Sequence, residues 1–356
     1  MGGESITAAD LEYDLPRQRI AQHPPARRDD ARMLVVGRAG GDLRDARITD
    51  LPALLRRGDL VVVNDTKVLP AGFAARRETG GAVHGLYVAE GAPGRWTVLL
   101  RSSGRLRAGE VLGVVGRGVG DVTLELMEAG IDGQWTVRVN TAEPAARVLE
   151  RIGHTPLPPY IRREGDAHES ADRSRYQTVY AKVPGAIAAP TAGLHLTEGL
   201  LDSVRGRGVE IARVTLHVGI GTFKPIGVEN IDEHAMHEER YEIGDEAAEA
   251  VAACRVRGGR VIGVGTTSVR ALESAACDGV RRGCTRSGKG TTKLFIRPPY
   301  AFRVVDGLLT NFHLPRTTLL ALVMAFAGVA NTRRAYTHAI RSRYRFYSYG
   351  DAMLVL

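Results

Sequence analysis

A short stretch in the middle of the chain combines small residues with groups that can do chemistry. Residues 185–198 read Gly-Ala-Ile-Ala-Ala-Pro-Thr-Ala-Gly-Leu-His-Leu-Thr-Glu. The small residues leave room for a ligand to approach the backbone. We interpret the stretch as an active-site loop in which Thr191, Gly193, His195 and Glu198 face the ligand. The stretch alone also fits a helix start, capped by Thr191 or Thr197 with Glu198 in the first turn.

Three later segments have the same character. They cover residues 215–223 (Thr-Leu-His-Val-Gly-Ile-Gly-Thr-Phe), 263–270 (Gly-Val-Gly-Thr-Thr-Ser-Val-Arg) and 310–315 (Thr-Asn-Phe-His-Leu-Pro). Each ends an apolar, strand-like run and then offers glycine, a hydroxyl, histidine or arginine. Ligands of open α/β sheets bind outside the carboxyl ends of the strands. We therefore predict that the four segments face one pocket.

The elements that must position these loops alternate between strand and helix. Residues 209–218 and 260–264 are apolar and β-branched, as buried strands are. Residues 245–254 and 268–276 have helical periodicity. Strands that alternate with helices predict an α/β fold, with a largely parallel or mixed sheet and helices on its faces.

The segment from about residue 68 to residue 153 has a different pattern. Short alternating runs, separated by glycine-rich turns, predict an all-β barrel or sandwich. The runs are 82–89, 96–100, 110–115, 122–126 and 134–139. A proline-rich connector at residues 156–160 then leads back to the α/β part. We predict an α/β domain formed by residues 1–67 and 154–356, with residues 68–153 inserted into it.

The motifs together resemble the S-adenosylmethionine:tRNA ribosyltransferase-isomerase family of queuosine biosynthesis. The resemblance runs nearly end to end and in order. Besides the four loops it rests on residues 14–16 (Asp-Leu-Pro), 20–24 (Ile-Ala-Gln-His-Pro), 64–68 (Asn-Asp-Thr-Lys-Val), 175–181 (Arg-Tyr-Gln-Thr-Val-Tyr-Ala), 233–238 (Glu-His-Ala-Met-His-Glu) and 344–353 (Tyr-Arg-Phe-Tyr-Ser-Tyr-Gly-Asp-Ala-Met).

The resemblance implies an α/β domain with an inserted β-barrel and a particular reaction. The ribosyl part of S-adenosylmethionine is transferred and isomerised onto 7-aminomethyl-7-deazaguanine at the wobble position of a tRNA with a GUN anticodon. Epoxyqueuosine forms, and adenine and methionine leave. S-adenosylmethionine is a co-substrate, no metal or redox cofactor is implied, and the protein is expected to be a monomer.

Candidate roles follow from what that reaction requires. A sulfonium acidifies the neighbouring 5′ carbon, so a base must take a proton and a second group must protonate the departing adenine. Imidazole suits both tasks near neutral pH, which selects His195, His217 and His313, in an order that the sequence leaves open. The other candidates would bind substrate. Arg270 would bind the methionine carboxylate, and Gly219, Gly221 and Thr222 would bracket the ribose, while Asp351 or Glu198 would offset the sulfonium charge. Tyr176 and Phe223 would stack on a base, and Thr191, Gly193 and Thr266 would contact the ligand at the loops.

The basic composition of the chain has a polyanionic binding partner as one interpretation. The chain has 356 residues, a formal net charge of +8 and a pI near 9.6. Such a charge attracts polyanions such as tRNA, although a merely basic protein fits it equally well. The longest apolar run, around residues 319–330, is shorter than the ~20 residues that span a bilayer. We expect a cytoplasmic protein with no membrane partner.

The cysteines and one histidine pair call for separate interpretations. Cys254, Cys277 and Cys284 match neither a zinc motif nor a disulfide framework, so we expect them to be reduced.

His234 and His237 stand three apart between Glu233 and Glu238, a spacing that a helical metal site could use. Zinc-hydrolase helices place their histidines four apart, so we favour a role for this pair in lining or capping the pocket.

The sequence departs from the family's pattern at four positions. Gly72, Ser102 and Pro299 replace residues that are usually Arg, Pro and Gly, and Leu196 replaces a Phe after the loop histidine. Gly72 and Ser102 remove features that could touch tRNA, and Leu196 could alter stacking on a base. Two alternatives therefore remain open: the same chemistry on a free deazapurine or another small amine, and a catalytically silent RNA-binding relative.

Overall fold

The computed structural model describes residues 6–116, 122–163, 168–219, 221, 225–277 and 283–356. The strands are β1 (Arg32–Val36), β2 (Leu43–Arg47), β3 (Leu60–Asn64), β4 (Thr66–Val68), β5 (Gly72–Arg77), β6 (Ala82–Ala92), β7 (Arg95–Ser102), β8 (Val111–Val115), β9 (Thr123–Ala129), β10 (Gln134–Val139), β11 (Val183–Ala186), β12 (Glu210–Leu216), β13 (Glu239–Ile243), β14 (Val261–Val264), β15 (Gly288–Thr292), β16 (Gly307–Asn311) and β17 (Ala352–Val355). The α-helices are α1 (Leu51–Leu54), α2 (Ala145–Ile152), α3 (Glu169–Arg175), α4 (Glu198–Gly206), α5 (Asp245–Val256), α6 (Gly265–Ser274), α7 (Thr318–Ala327) and α8 (Val329–Arg341).

A nine-stranded mixed sheet forms the centre of the α/β part. Its strand order is β15-β13-β12-β3-β14-β16-β17-β1-β2. The central strands β12, β3, β14 and β16 are parallel, and β17 runs antiparallel to β16. Strand β3 shows why both faces are covered: Leu60 and Val62 pack into the core that contains α5 to α8, and Val61 and Val63 pack into the core beneath α1 and α4. The predicted mixed sheet with helices on its faces is confirmed.

The predicted elements of this part differ from the observed ones mainly at their ends. Strand β12 is shorter than the predicted 209–218, and α5 extends two residues beyond the predicted 245–254. Helix α6 begins three residues before the predicted start. Gly265 has φ +84°, a conformation that side-chain-bearing residues rarely adopt, and it turns the chain from β14 directly into α6.

Strands β5 to β10 form a closed antiparallel barrel in the order β10-β7-β6-β5-β8-β9. Each of the five predicted runs corresponds to a strand, and closure decides for the barrel over the sandwich. Strand β5 was not predicted, because its Gly-Phe-Ala-Ala-Arg-Arg sequence is poor in β-branched residues. It nevertheless places Phe73 and Ala75 in the barrel core with Trp96 and Leu124.

The apolar run near the C-terminus is a buried helix of the α/β part. Helix α7 starts where the Thr317 hydroxyl accepts a 3.2 Å hydrogen bond from the amide of Leu320. Its Leu320, Val323 and Phe326 side chains are all buried in the main core. No helix in the described ranges is both long enough and apolar enough to cross a membrane.

One prediction about the cysteines is wrong. Cys277 and Cys284 form a disulfide, with their Cα atoms 5.4 Å apart, whereas Cys254 is free and buried. An isolated antiparallel bridge between Ala276 and Thr285, together with a 3.0 Å hydrogen bond from the Cys277 amide to the Cys284 carbonyl, brings the two cysteines together. A seven-residue separation in the sequence does not reveal that pairing.

Candidate active site

The structure brings residues from all four loops to one small cavity at the carboxyl ends of β14 and β16. The cavity has a volume of about 30 Å³. A neighbouring cavity of about 40 Å³ shares Thr191, Asn311 and His313 with it. The residues that line the first cavity are Ala189, Pro190, Thr191, Ala192, Val218, Gly265, Thr266, Thr267, Thr310, Asn311, His313 and Leu319. The predicted ligand groups Thr191, Thr266 and His313 thus lie together.

Both interpretations of the first loop describe part of it. Residues Thr191–His195 form a short 3₁₀ helix. A Cβ atom at Gly193 would lie 2.0 Å from the Tyr180 hydroxyl oxygen, so this position requires glycine. Helix α4 follows, and the Thr197 hydroxyl caps it by accepting a 3.2 Å hydrogen bond from the amide of Leu200. Glu198 is exposed in the first turn of α4, where it does not line either cavity.

His195 is buried beside the cavities and contacts Asn311. Its Nε2 lies 3.1 Å from the Asn311 side-chain nitrogen, which also donates a 3.0 Å hydrogen bond to the carbonyl of Tyr347. Burial, with smaller effects of the Arg345 and Arg28 charges, lowers the pKa of His195 to about 4. His195 is therefore neutral at physiological pH.

His313 is held on three sides. Its Nε2 lies 2.8 Å from the Thr310 hydroxyl, and its backbone amide donates a 2.9 Å hydrogen bond to the Tyr336 hydroxyl. The Tyr13 hydroxyl donates to its carbonyl. Burial lowers the pKa of His313 to about 3, so this imidazole is also neutral at physiological pH.

His217 lies in a larger cleft between the barrel and the sheet. The cleft has a volume of about 500 Å³, and Leu99, Ile131 and Gln134 of the barrel face His217 and Gly219 across it. Nδ1 of His217 lies 2.8 Å from the Thr66 hydroxyl. The imidazole is half-buried, and burial together with the Arg240 charge lowers its pKa. Val218 lines both the cleft and the small cavity, so the two spaces are neighbours.

Arg270 does not stand free for a carboxylate. It forms a buried ion pair with Glu239, and its Nε donates a 3.2 Å hydrogen bond to the carbonyl of Leu294. Glu239 also accepts a 2.9 Å hydrogen bond from the amide of Gly219. The pair therefore fixes the loop after β12, although Nη2 of Arg270 has no partner among the described residues.

Asp351 and Tyr176 occupy structural positions. Asp351 accepts hydrogen bonds of 2.9 Å from the amide of Arg32 and 2.7 Å from the amide of Arg345, which ties β17 to β1. Tyr176 is fully buried and packs edge-on against Tyr349, with 6.0 Å between ring centroids. Neither residue lines the cleft or the two small cavities.

The structure describes only some of the other residues that are predicted to contact the ribose or the base. Thr222 and Phe223 lie outside the described residues. A Cβ atom at Gly221 would lie 2.3 Å from the His237 ring. His237 lines the cleft, and His234 packs against the Phe295 ring at 5.6 Å between centroids. Within the described ranges, no group of three histidine, cysteine or acidic side chains could hold a metal ion.

The four departures from the family's pattern lie away from the small cavities. Leu196 is buried in the core beneath α4 and so cannot stack on a ligand base. Gly72 pairs with His154, whose ring would lie 2.4 Å from a Cβ atom at this position. Ser102 lines an open pocket of the barrel together with Arg105, Arg107 and Trp135, and Pro299 is exposed.

Sequence reasoning missed Asn311 and Tyr347 as site residues. Asn311 ends β16 two residues before the predicted His313, and Tyr347 lies within a quoted motif. Both line the second small cavity, and the Tyr347 ring stacks on Tyr160 with 4.6 Å between centroids. A polar amide at the carboxyl end of an apolar strand was the available signal for Asn311.

The fold and the site together define an α/β protein with an inserted barrel, whose buried histidines lie at the carboxyl ends of the sheet strands. A family model described as queuosine biosynthesis protein matches residues 8–355, so the chain belongs to that family. The predicted family resemblance is confirmed.

Individual relatives are similar over their whole lengths. The S-adenosylmethionine:tRNA ribosyltransferase-isomerase of Sorangium cellulosum is 50% identical over 369 residues, covering 97% of both chains. The enzyme of that name from Geobacter sulfurreducens is 48% identical, covering 98% of this chain and all of the relative. The crystal structure of S-adenosylmethionine tRNA ribosyltransferase from Thermotoga maritima is 31% identical with a TM-score of 0.54, covering 98% of this chain and 100% of that one.

Proposed function

We propose that this protein transfers and isomerises the ribosyl moiety of S-adenosylmethionine onto 7-aminomethyl-7-deazaguanine at the tRNA wobble position. Epoxyqueuosine, adenine and methionine are the products. The observation that carries the proposal is 50% identity to a ribosyltransferase-isomerase over 97% of both chains. The convergence of the four predicted loops on one cavity supports it.

His217 is the best candidate for the base that removes the 5′ proton next to the sulfonium. It faces the cleft of about 500 Å³, which is the roomiest of the three spaces described above. Its lowered pKa keeps it neutral and able to accept a proton near pH 7. The Thr66 hydroxyl, 2.8 Å from Nδ1, orients the ring. Removal of the proton leaves the electron pair on the ribosyl part, which expels adenine. The departing adenine takes up a proton, the acceptor amine attacks, and methionine leaves with the electron pair of its carbon–sulfur bond.

His195 and His313 then act as neutral hydrogen-bonding groups. Their pKa values of about 4 and about 3 mean that neither carries a stored proton at physiological pH. His313 lines both small cavities with Thr191 and can orient the ribosyl hydroxyls there, whereas His195 lies behind their wall, in contact with Asn311. The ion pair of Arg270 with Glu239 holds the Gly219 loop at the edge of the cleft. The buried Nη2 of Arg270, which has no partner among the described residues, remains the candidate contact for the methionine carboxylate.

The mouth of the barrel provides a surface for the tRNA backbone. Arg105 and Arg107 are exposed beside an open pocket of about 790 Å³ with Trp135 in its wall. The ion pair of Arg77 with Glu110 holds this turn, because Arg77 also donates a 3.3 Å hydrogen bond to the Arg105 carbonyl. Phosphate contacts of this kind position an RNA without reading its sequence.

This mouth and the His217 cleft lie on opposite faces of the same two barrel strands. Leu99 and Gln134 line the cleft, whereas Leu100 and Trp135, the next residues on the same strands, line the mouth. A wobble base splayed out of its loop could enter the cleft while the anticodon backbone follows the arginines. The tRNA acceptor, with a GUN anticodon, is therefore favoured over a free deazapurine.

We further propose the organisation and setting that this function requires. Residues 68–153 form the inserted domain, and residues 1–67 and 154–356 form the α/β domain that carries most of the site. The protein works as a cytoplasmic monomer, where tRNA and S-adenosylmethionine are present. S-adenosylmethionine is a co-substrate, and the proposal includes no metal or other cofactor.

Mass spectrometry of the products tests the reaction. Purified protein is mixed with S-adenosylmethionine and tRNA carrying 7-aminomethyl-7-deazaguanine, and in parallel with the free base. We expect adenine, methionine and an epoxy-cyclopentanediol on the tRNA, and no product with the free base. Equal turnover of the free base would replace the tRNA acceptor by a small molecule, and no turnover of either substrate would favour a silent RNA-binding relative.

The His217→Gln variant tests the base. Loss of a general base costs about 10²–10⁴-fold in rate, so we expect kcat to fall by about that factor while tRNA binding is retained. The exposed His84→Gln on the barrel is the matched control and should retain the parent activity. A kcat within threefold of the parent value would remove His217 from the mechanism.

A further inference from the structure

The Asn311 side chain lies between His195 and the backbone of Tyr347. It is 2% exposed at the carboxyl end of β16, and it lines both small cavities. Its nitrogen Nδ2 is 3.0 Å from the Tyr347 carbonyl and 3.1 Å from Nε2 of His195. Its oxygen Oδ1 is buried and has no partner among the described residues.

The Tyr347 carbonyl decides which way the Asn311 amide points. A carbonyl oxygen can only accept a hydrogen bond, so the group facing it must be the NH₂ and not Oδ1. Tyr347 is held at φ 72°, a left-handed conformation that is uncommon for an aromatic residue and that sets the direction of this part of the backbone. The orientation of the Asn311 amide is therefore fixed by the Tyr347 carbonyl, independently of His195.

That orientation in turn determines the protonation of His195. The second hydrogen of the NH₂ group faces Nε2, so Nε2 must offer its lone pair. A neutral imidazole that accepts at Nε2 carries its proton on Nδ1. The positive charges of Arg345 and Arg28 favour the neutral form as well. Arg28 is held by a 3.3 Å hydrogen bond to the carbonyl of Leu194, and Arg345 donates to the carbonyl of His23.

We propose that Asn311 is a positioning residue that fixes His195 as the neutral Nδ1–H tautomer. His195 then donates a hydrogen bond from Nδ1 to the reacting substrate and does not act as a base through Nε2. This role in turnover rests on the proposed function. The contact with Asn311 is made through Nε2, so it leaves the proton on Nδ1 for another partner.

The unpartnered Oδ1 supports a place in the site over a purely structural role. A buried polar atom without a partner costs about 1–3 kcal/mol, and such atoms in folded proteins call for an explanation. Asn311 lines the same cavities as Thr191 and His313. A hydroxyl of the ribosyl group, entering beside them, would donate to Oδ1 and satisfy it.

Nitrogen NMR of the full-length protein tests the tautomer directly. Histidine labelled with ¹⁵N distinguishes a protonated ring nitrogen from one with a free lone pair, and comparison with His195→Gln assigns the signals. We expect His195 to show a protonated Nδ1 and an unprotonated Nε2 from pH 6 to pH 8, without substrate. A protonated Nε2 in this range would overturn the proposal.

Asn311→Asp tests whether Asn311 is the cause. A carboxylate accepts at the former NH₂ position, so we expect the proton of His195 to move to Nε2. Thr310→Val, which removes the hydroxyl beside His313, is the matched control and should leave the His195 signals unchanged. If Asn311→Asp retains the Nδ1–H tautomer, Asn311 does not set it. If Asn311→Asp does not fold, Asn311→Leu, which is of similar size and has no donor, replaces it, and a retained Nδ1–H tautomer in that variant would likewise show that Asn311 does not set it.

Kinetics connect the tautomer to turnover. We expect Asn311→Asp to lower kcat at least ~10²-fold with a much smaller change in KM, because a hydrogen bond to the transition state is lost. If Asn311→Asp shifts the tautomer but keeps the wild-type kcat, His195 does not act as a hydrogen-bond donor in turnover. The NMR measurement needs no substrate, so an inactive wild-type protein would refute the proposed function while the tautomer assignment was still tested.

Discussion

At the scale of single residues, burial decides what the site histidines can do. His195 and His313 lie 3% and 8% exposed, and burial lowers their pKa values to about 4 and about 3. His217 is half-buried, and its pKa is lowered as well. All three are therefore neutral at pH 7, which suits acceptance or orientation of protons and not their storage. The sequence placed the imidazoles in loops but could not give their burial.

The two buried imidazoles make stability depend on pH. In the unfolded chain a histidine binds a proton below about pH 6.5, whereas the folded protein keeps His195 neutral down to about pH 4. The unfolded state binds more protons in this window, so stability falls as pH drops from about 6.5 towards 4. At pH 5 the effect is about 2 kcal/mol for each imidazole.

Chemical denaturation at pH 7 and pH 5 measures this dependence. We expect His195→Gln to lose about 2 kcal/mol less than the parent protein between the two pH values. The exposed His84→Gln is the control and should follow the parent. An unchanged pH dependence in His195→Gln would show that His195 is not buried in its neutral form.

At the scale of elements, β13 and α6 hold the edge of the cleft through one buried ion pair. Glu239 begins β13, Arg270 lies in the middle of α6, and both side chains are less than 10% exposed. Glu239 also accepts from the Gly219 amide, which follows β12. One carboxylate thus fixes a strand, a helix and a loop. Arg270 is predicted from the sequence to bind a ligand, because its ion-pair partner Glu239 lies 31 residues away in the chain and cannot be recognised without the fold.

Removing the charge of Glu239 should destabilise this arrangement. Glu239→Gln leaves the Arg270 guanidinium buried without its counter-charge, which costs about 3–5 kcal/mol in free energy of unfolding. Glu238→Gln is the matched control, because Glu238 is exposed and 3.8 Å from Lys293, and we expect less than about 1 kcal/mol. Equal losses in urea denaturation of the two variants would contradict the structural role of the pair.

At the scale of the whole molecule, the barrel and the sheet enclose the cleft between them. Ile131 of the barrel is 81% exposed at the β9–β10 turn and faces His217 across the cleft. The barrel mouth with Arg105 and Arg107 lies on the other face of the same barrel strands. A substrate as large as tRNA can contact both parts at once, which a free base cannot.

The salt dependence of tRNA binding tests the barrel surface. Each phosphate contact contributes about one unit to the slope of log K against log salt, so Arg105→Gln with Arg107→Gln should reduce the slope by about two. Arg138→Gln is the control, because Arg138 is exposed on the barrel but paired with Glu125 at 2.6 Å. A slope unchanged by the double variant, in a protein that still modifies tRNA, would remove the barrel mouth from the tRNA interface.

The sequence by itself determined the family, the mixed α/β sheet and five of the barrel strands. Alternation along runs such as 134–139 and helical periodicity along 245–254 are local properties, so they can be recognised without knowledge of the fold. The end-to-end order of the motifs identified the family in the same way. Strand β5 escaped because Gly72, Ala74 and Ala75 carry no strong strand preference, and only barrel closure requires it.

Only the tertiary structure decided which groups meet. Asn311 and His195 are 116 residues apart, and Thr66 and His217 are 151 residues apart. The pairing of Cys277 with Cys284 depends on the isolated bridge between Ala276 and Thr285, and that of Asp351 with the backbone of Arg32 depends on the neighbouring strands β17 and β1. Hydrogen bonds, burial and ion pairing act over a few ångströms in space, and the distance between two residues in the chain does not specify that separation until the sheet and the barrel have formed.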